Sequence, residues 1–330
     1  MSGKWANVGE RGAFWGVWLL AAVYRVLGRT VCQAVLVPVA GYFFVTGAAQ
    51  RRASRDYLMR AWRAGYLPKQ PGLGDSFRHF LTFSFASLDK LAAWTGRIRA
   101  EDVEGTGEGL FDSVKKASEG AVILTAHLGN PEIVRAIATV GRRRPVNVLV
   151  HTLHAERFNR VIARFSPDAP VRLVQVTQID VGVAMKLSEA VAAGEWVVIA
   201  ADRVAPTSGA ASAAAVDFIG ARALFPTGPM VLASALKAPV YTLFCTRTAR
   251  RYRIAFERFA EVVEIPRARR AEAIKGYVEA FARRLEGEVA RAPFQWFNFY
   301  DYWLAGEEPE AAARPAPDVR VPDKRVSEAS

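Results

Sequence analysis

The chain has 330 residues, 51% of them hydrophobic and 23% charged, which supplies enough apolar side chains for a sizeable core and excludes a wholly disordered protein. Its two cysteines, Cys32 and Cys245, are too few for a disulfide framework or a cysteine zinc site and suit a reducing compartment. A net charge of +12 asks for an acidic partner: nucleic acid, an anionic membrane surface, or an acidic cofactor or carrier.

Residues 14–23 and 30–49 are apolar runs rich in Trp, Phe, Tyr, Leu and Val, with Arg25 and Arg29 between them and Arg51, Arg52 and Arg55 after them. The second run holds no charged residue and has the length to span a bilayer, but Pro38, Gly41 and Gly47 interrupt it and basic groups flank both ends. The favoured reading is an embedded hairpin or interfacial helices on the cytoplasmic leaflet, with a single span as the alternative. No signal-peptide cleavage site is evident, because the apolar run starts after Glu10 and Arg11, and arginines stand where small residues belong. Residues 1–63 are accordingly expected to form a membrane-associated helical region and 64–304 an α/β domain.

A turn-rich stretch with Pro68 and Pro71 leads into a helix over 76–94, whose apolar residues include Phe77, Phe80, Leu81 and Leu88. His79, inside that helix, reads as structural. From Gly120 onward strands are expected at 121–126, 146–150, 171–176, 196–201 and 240–245, alternating with helices at 132–140, 155–165, 183–193 and 229–236. Such alternation predicts a mainly parallel central sheet flanked by helices. Residues 305–330, rich in Glu, Ala, Pro and Arg without hydrophobic periodicity, are expected to be a disordered tail.

In an open α/β sheet ligands bind beyond the carboxyl ends of the strands, and three polar positions fall there: His127, His151, and Asp202 with Arg203. His127 leaves a strand, Asn130 and Pro131 read as N-cap and first helical residue, and Glu132 enters the first turn, where the helix dipole favours its negative charge. A carboxylate on one imidazole nitrogen leaves the other free to take a proton from an alcohol. Asp202 is expected to orient Arg203 or another basic group without transferring a proton itself. His151 and His154 have metal-like spacing but lack a third ligand. The chain has neither the Gly-x-Ser-x-Gly elbow of a serine hydrolase, nor a Walker A loop, nor a nucleic-acid-binding motif.

The His127-x4-Glu132 block, set in a strand, a Gly-containing turn and a helix, resembles the signature of the lysophospholipid acyltransferase superfamily, in particular its lipid A acyltransferase-like branch. Asp202-Arg203, the Phe225-Pro-Thr-Gly-Pro229 turn and the aromatic segment 293–303 resemble further blocks of that branch. The resemblance implies an acyltransferase that moves an acyl chain from an acyl carrier protein or coenzyme A thioester to a lipid or sugar hydroxyl, at the cytoplasmic face of the inner membrane. It implies His127 as general base oriented by Glu132, with no metal or bound cofactor. Thr227 and Gly228 become candidates for an oxyanion or phosphate site at a helix start, where Thr227 would cap the helix and Gly228 would permit close backbone approach. Asn130, Arg157, Asn159, Asp202, Arg203 and Arg222 become candidates for substrate contact. The aromatic segment is expected to close the core, line an acyl-chain pocket or sit at the bilayer interface.

Leu128-Gly-Asn-Pro departs from the familiar lipid A enzymes, which usually carry an aromatic residue after the His and a Trp before the Glu. The departure points towards acyltransferases of polyene-pigment and unusual-lipid pathways. Two other classes stay open at this level: a non-catalytic membrane-bound partner of a lipid-synthesis complex, and a basic nucleic-acid-binding protein.

Overall fold

The computed structural model describes residues 14–94, 97–117, 119–131, 133, 145–150, 171–175, 181–204 and 212–304. Three helices come first: α1 (Phe14–Thr46), α2 (Ala48–Arg63) and α3 (Leu73–Trp94). After them come β1 (Val103–Thr106), α4 (Glu108–Lys116), β2 (Ala121–Thr125), β3 (Val146–Val150), β4 (Val171–Gln175), α5 (Val181–Ala192) and β5 (Trp196–Ala200). A hairpin of β6 (Ala213–Phe218) and β7 (Ala221–Pro226), then α6 (Gly228–Leu236), β8 (Val240–Arg247), β9 (Tyr252–Ala260) and α7 (Arg270–Arg291) complete the order.

The seven-stranded sheet runs β1-β9-β8-β2-β5-β3-β4, and every neighbouring pair is parallel except β8 with β9. This is the α/β architecture the strand and helix alternation predicts. β2 is central and every one of its residues is buried, which is why it reads as an unbroken apolar run. Its side chains still alternate. Val122 and Leu124 enter a core shared with Tyr57, Leu58, Phe281 and Leu285, whereas Ala121 and Ile123 enter a second core with Phe111, Tyr241 and Phe256. Full burial of each Val, Leu or Ile contributes about 1.5–3 kcal/mol, so this strand anchors both faces of the sheet.

Strand neighbours also fix where a ligand can enter. β5, β3 and β4 lie on one side of β2, while β8, β9 and β1 lie on the other. The crevice beyond the carboxyl end of β2 therefore sits where the connections diverge, the usual ligand position in such sheets.

α1 and α2 have different roles. α2 buries Ala53, Ser54, Tyr57, Leu58 and Ala61 and so belongs to the α/β body. α1 breaks at Gly28, whose φ of 76° lies outside the helical region. Its second part, from Gly28 to Thr46, is long and apolar enough to cross a membrane. Cys32, Leu36 and Ala40, spaced by one helical turn, are buried on one stripe, and Cys32 and Leu36 pack with Leu88 and Ala92 of α3. Val31, Val35, Val39, Tyr42, Phe43 and Val45 are exposed. Arg51 of α2 donates to the carbonyls of Phe44 and Val45, substituting for N–H groups that the end of α1 lacks.

Candidate active site

β2 and β5 pair in parallel, Thr125 opposite Ala200, and the ladder continues with the Ala201 N–H donating to the Thr125 carbonyl at 2.8 Å. Two residues past the Thr125–Ala200 pair, His127 meets Asp202. The imidazole Nδ1 lies 2.8 Å from Asp202 Oδ1, and the His127 backbone N–H donates to Oδ2 at 3.0 Å. Sheet register therefore makes this pair.

Asp202 is wholly buried and held from several sides. Trp296 Nε1 donates to Oδ2 at 3.3 Å, and the Tyr302 hydroxyl donates to the Asp202 carbonyl at 2.7 Å. Burial works against its charge, but His127 and the Arg203 guanidinium more than offset this and hold the carboxyl down at about 2. Asp202 is thus an ionised, acceptor-only group at neutral pH. Its partner nitrogen Nδ1 must carry the proton, which leaves Nε2 with a free lone pair. Desolvation and Arg203 push the His127 pKa below its ordinary value, against the pull of Asp202. The imidazole side chain is 40% exposed, so the neutral ring with Nε2 as acceptor is open to a reactant. That is the arrangement of an oriented general base.

The turn that carries His127 is clamped by two other segments. The Asn130 N–H donates to the Cys245 carbonyl at the end of β8, the Gly129 N–H to the Gln295 carbonyl, and the Phe297 N–H to the His127 carbonyl. Gly129 has a φ of 61°, and a Cβ there would lie 1.9 Å from the Cys245 carbonyl oxygen, so only glycine fits. The aromatic segment is a buried wall of the site: Trp296, Phe297, Tyr302 and Trp303 are all buried, and Trp296 contacts Tyr57, Phe218 and Tyr302. Of the three roles expected for this segment, packing is the one these contacts display.

His79 backs the wall. Its ring is wholly buried, with Nδ1 3.0 Å from Ser54 Oγ and Nε2 2.9 Å from the Trp296 carbonyl. Burial lowers its pKa to about 4, so it is neutral at pH 7 and structural, as expected.

The other sequence candidates are placed as follows. Arg203 lies beside the pair, donates to the Phe297 carbonyl at 2.6 Å and sits over the Tyr300 ring. The basic group that Asp202 orients is thus the His127 imidazole. Asn130 is buried, and its amide donates to the Ala86 carbonyl of α3. The side chain therefore does not act as the expected N-cap; it ties the turn to α3. Thr227 starts α6 without a side-chain cap, because the Met230 and Val231 N–H groups go to its carbonyl. A Cβ on Gly228 would meet no protein atom within 4 Å. Arg222 is on the exposed side of β7, opposite Asp217 in the hairpin. Among the described residues, neither Thr227 nor Gly228 is hydrogen-bonded to His127. Glu132, the carboxylate expected on the imidazole, lies outside the described residues, as do His151, His154, Arg157 and Asn159.

The bacterial lipid A biosynthesis acyltransferase family matches residues 12–305, nearly the whole chain. The protein belongs to that family. No match was found among curated proteins. Membership brings acyl transfer as the general activity, with an acyl donor and a lipid acceptor as reactants. It also gives the long apolar stretch of α1 a context, since an enzyme acting on lipids works at a membrane.

Proposed function

We propose that the protein is a membrane-associated acyltransferase that moves an acyl chain from an acyl carrier protein or coenzyme A thioester to a hydroxyl of a lipid or glycolipid, at the cytoplasmic face of the inner membrane. The acceptor class is a lipid A-like molecule or a pigment or unusual lipid. The observation that carries this reading is the His127 imidazole held through Nδ1 by buried, ionised Asp202, in a chain of this family.

In the proposed reaction Nε2 of His127 takes the proton of the acceptor hydroxyl. The oxygen attacks the thioester carbonyl, the new C–O bond forms, and the C–S bond breaks. The imidazolium then returns its proton to the departing thiolate, so donor thiol and ester product leave and the base is regenerated. Asp202 stays ionised throughout and stabilises the transient imidazolium, as in the Ser-His-Asp enzymes. The exposed apolar residues of α1, with Arg52 and Arg55 exposed just beyond, suit contact with an anionic lipid surface.

The test is labelled acyl transfer from both kinds of thioester into a total lipid extract, by the wild type, His127→Ala and Glu132→Ala, each checked for folding. Loss of a general base costs roughly 10²- to 10⁴-fold in rate. Incorporation that survives His127→Ala undiminished defeats the mechanism. The effect of Glu132→Ala reports whether a second carboxylate shares the work, and the labelled product identifies the acceptor.

A further inference from the structure

A cavity of about 190 Å³ opens between α1, α3 and the clamped turn after His127. Among its lining residues are Arg29, Asp89, Asn130, Arg247 and Tyr252. Arg29, the residue after the break in α1, places Nη2 at 2.9 and 3.1 Å from the two oxygens of Asp89. Arg247, at the end of β8, donates through Nη1 to Asp89 at 3.2 Å and to the Tyr252 hydroxyl at 2.7 Å. Two guanidiniums thus face one carboxylate, and the group keeps one positive charge.

Two polar atoms here are buried and lack a partner. Arg29 Nε has no acceptor, and Asn130 Oδ1 has no donor although its side-chain nitrogen is bonded to α3. Asn130 is 3% exposed, and burying such an atom unpaired is costly unless something that binds there satisfies it. A matching ligand brings anionic oxygens to the arginines and an N–H or O–H to Asn130. An inorganic cation would be repelled by the arginines, and an apolar chain meets neither demand.

The geometry points to this cavity as the subsite for a phosphate ester carried by one of the two substrates, bound by Arg29 and Arg247 with Asn130 accepting a hydrogen bond from the same molecule. The inference rests on the acyl-transfer reading above for the nature of the substrates. A phosphate ester is present in two places in that reaction, the phosphopantetheine arm of the donor and a phosphorylated lipid acceptor. Guanidinium suits either, because its planar donors pair with phosphate oxygens.

The test measures binding without turnover, by calorimetry on the full-length protein in detergent. The probes are 4′-phosphopantetheine against pantetheine, and glycerol 3-phosphate against glycerol. The wild type is expected to prefer one phosphorylated probe at least tenfold over its phosphate-free counterpart, and the pair showing the preference names the source. Arg247→Gln is expected to bring that ratio close to one, and Arg247→Lys to restore part of it while serving as the check on folding. Absence of a phosphate preference in the wild type, or a preference that Arg247→Gln leaves intact, overturns the proposal. Because no acyl group moves, this result is independent of whether His127→Ala abolishes transfer.

Discussion

The carboxyl edge of the sheet and the second part of α1 are held in opposite ways. His127 and Asp202 are fixed by sheet register, by backbone bonds from residues 245 to 297, and by Trp296 and Tyr302. The helix from Gly28 to Thr46 is held by one narrow stripe and leaves a broad apolar face uncovered. Under the proposed function the difference separates two tasks: base catalysis needs an imidazole fixed to a fraction of an ångström, whereas contact with a fluid lipid surface needs only apolar area and no fixed partner.

The most forceful way to break the rigid side is Asp202→Asn. Asparagine can offer an N–H to Nδ1 and so favour the wrong tautomer. By analogy with the serine-protease triad, kcat/KM is expected to fall on the order of 10²- to 10⁴-fold with the fold intact. Steady-state kinetics with circular dichroism as control checks this, and a loss under tenfold argues that Asp202 is not the orienting group.

A smaller effect is expected from His79, on the same side of the molecule. Its folded pKa of about 4 lies below the 6.5 of the unfolded chain, so the unfolded state binds the proton first. The stability His79 permits is therefore complete above pH 6.5 and is lost as pH falls towards 4, about 3 kcal/mol in all at 1.36 kcal/mol per pH unit between the two values. Urea unfolding across that range should show this loss in the wild type and lack it in His79→Gln; an unchanged slope in the variant removes the assignment.

The least effect on stability is expected on the loose side. Val35→Glu combined with Val39→Glu alters only exposed residues, so thermal stability should stay within about 0.5 kcal/mol per site. Binding to phosphatidylglycerol-containing vesicles in a flotation assay should nevertheless drop sharply. Full retention on the vesicles would end the contrast between the two regions.

The parallel core was legible because β2, β3, β4, β5 and β8 are short, largely apolar runs. The helix over 76–94 was legible for the same reason, its periodicity being strong. β9 and α7 were not read, because Arg and Glu are interspersed among their apolar positions, and α7 shows its buried stripe of Ile274, Val278, Phe281 and Leu285 only once β6 lies against it. The β6–β7 hairpin was not read, since its tight turn at Ile219 and Gly220, both at positive φ, carries neither Asn nor Asp. Both members of the candidate pair were legible, though not their partnership. His127 and Asp202 were both placed at the strand ends, and each stands two residues past its strand, a signal present in the sequence. That β2 and β5 are neighbours is a tertiary fact, so the contact of His127 Nδ1 with Asp202, 75 residues away, was not legible, while Glu132 lies outside the described residues.

The aromatic wall has a consequence for how the protein comes into being. Synthesis delivers α1 well before the residues around Trp296 and Tyr302, so under the proposed function a growing chain can meet lipid before its histidine is aligned. A nascent polypeptide that stops short of residue 296 already contains both His127 and Asp202 yet lacks the indole that donates to the carboxylate and the phenol that donates to the Asp202 backbone carbonyl. The fixing of Asp202 thus waits on a segment made well after both members of the pair.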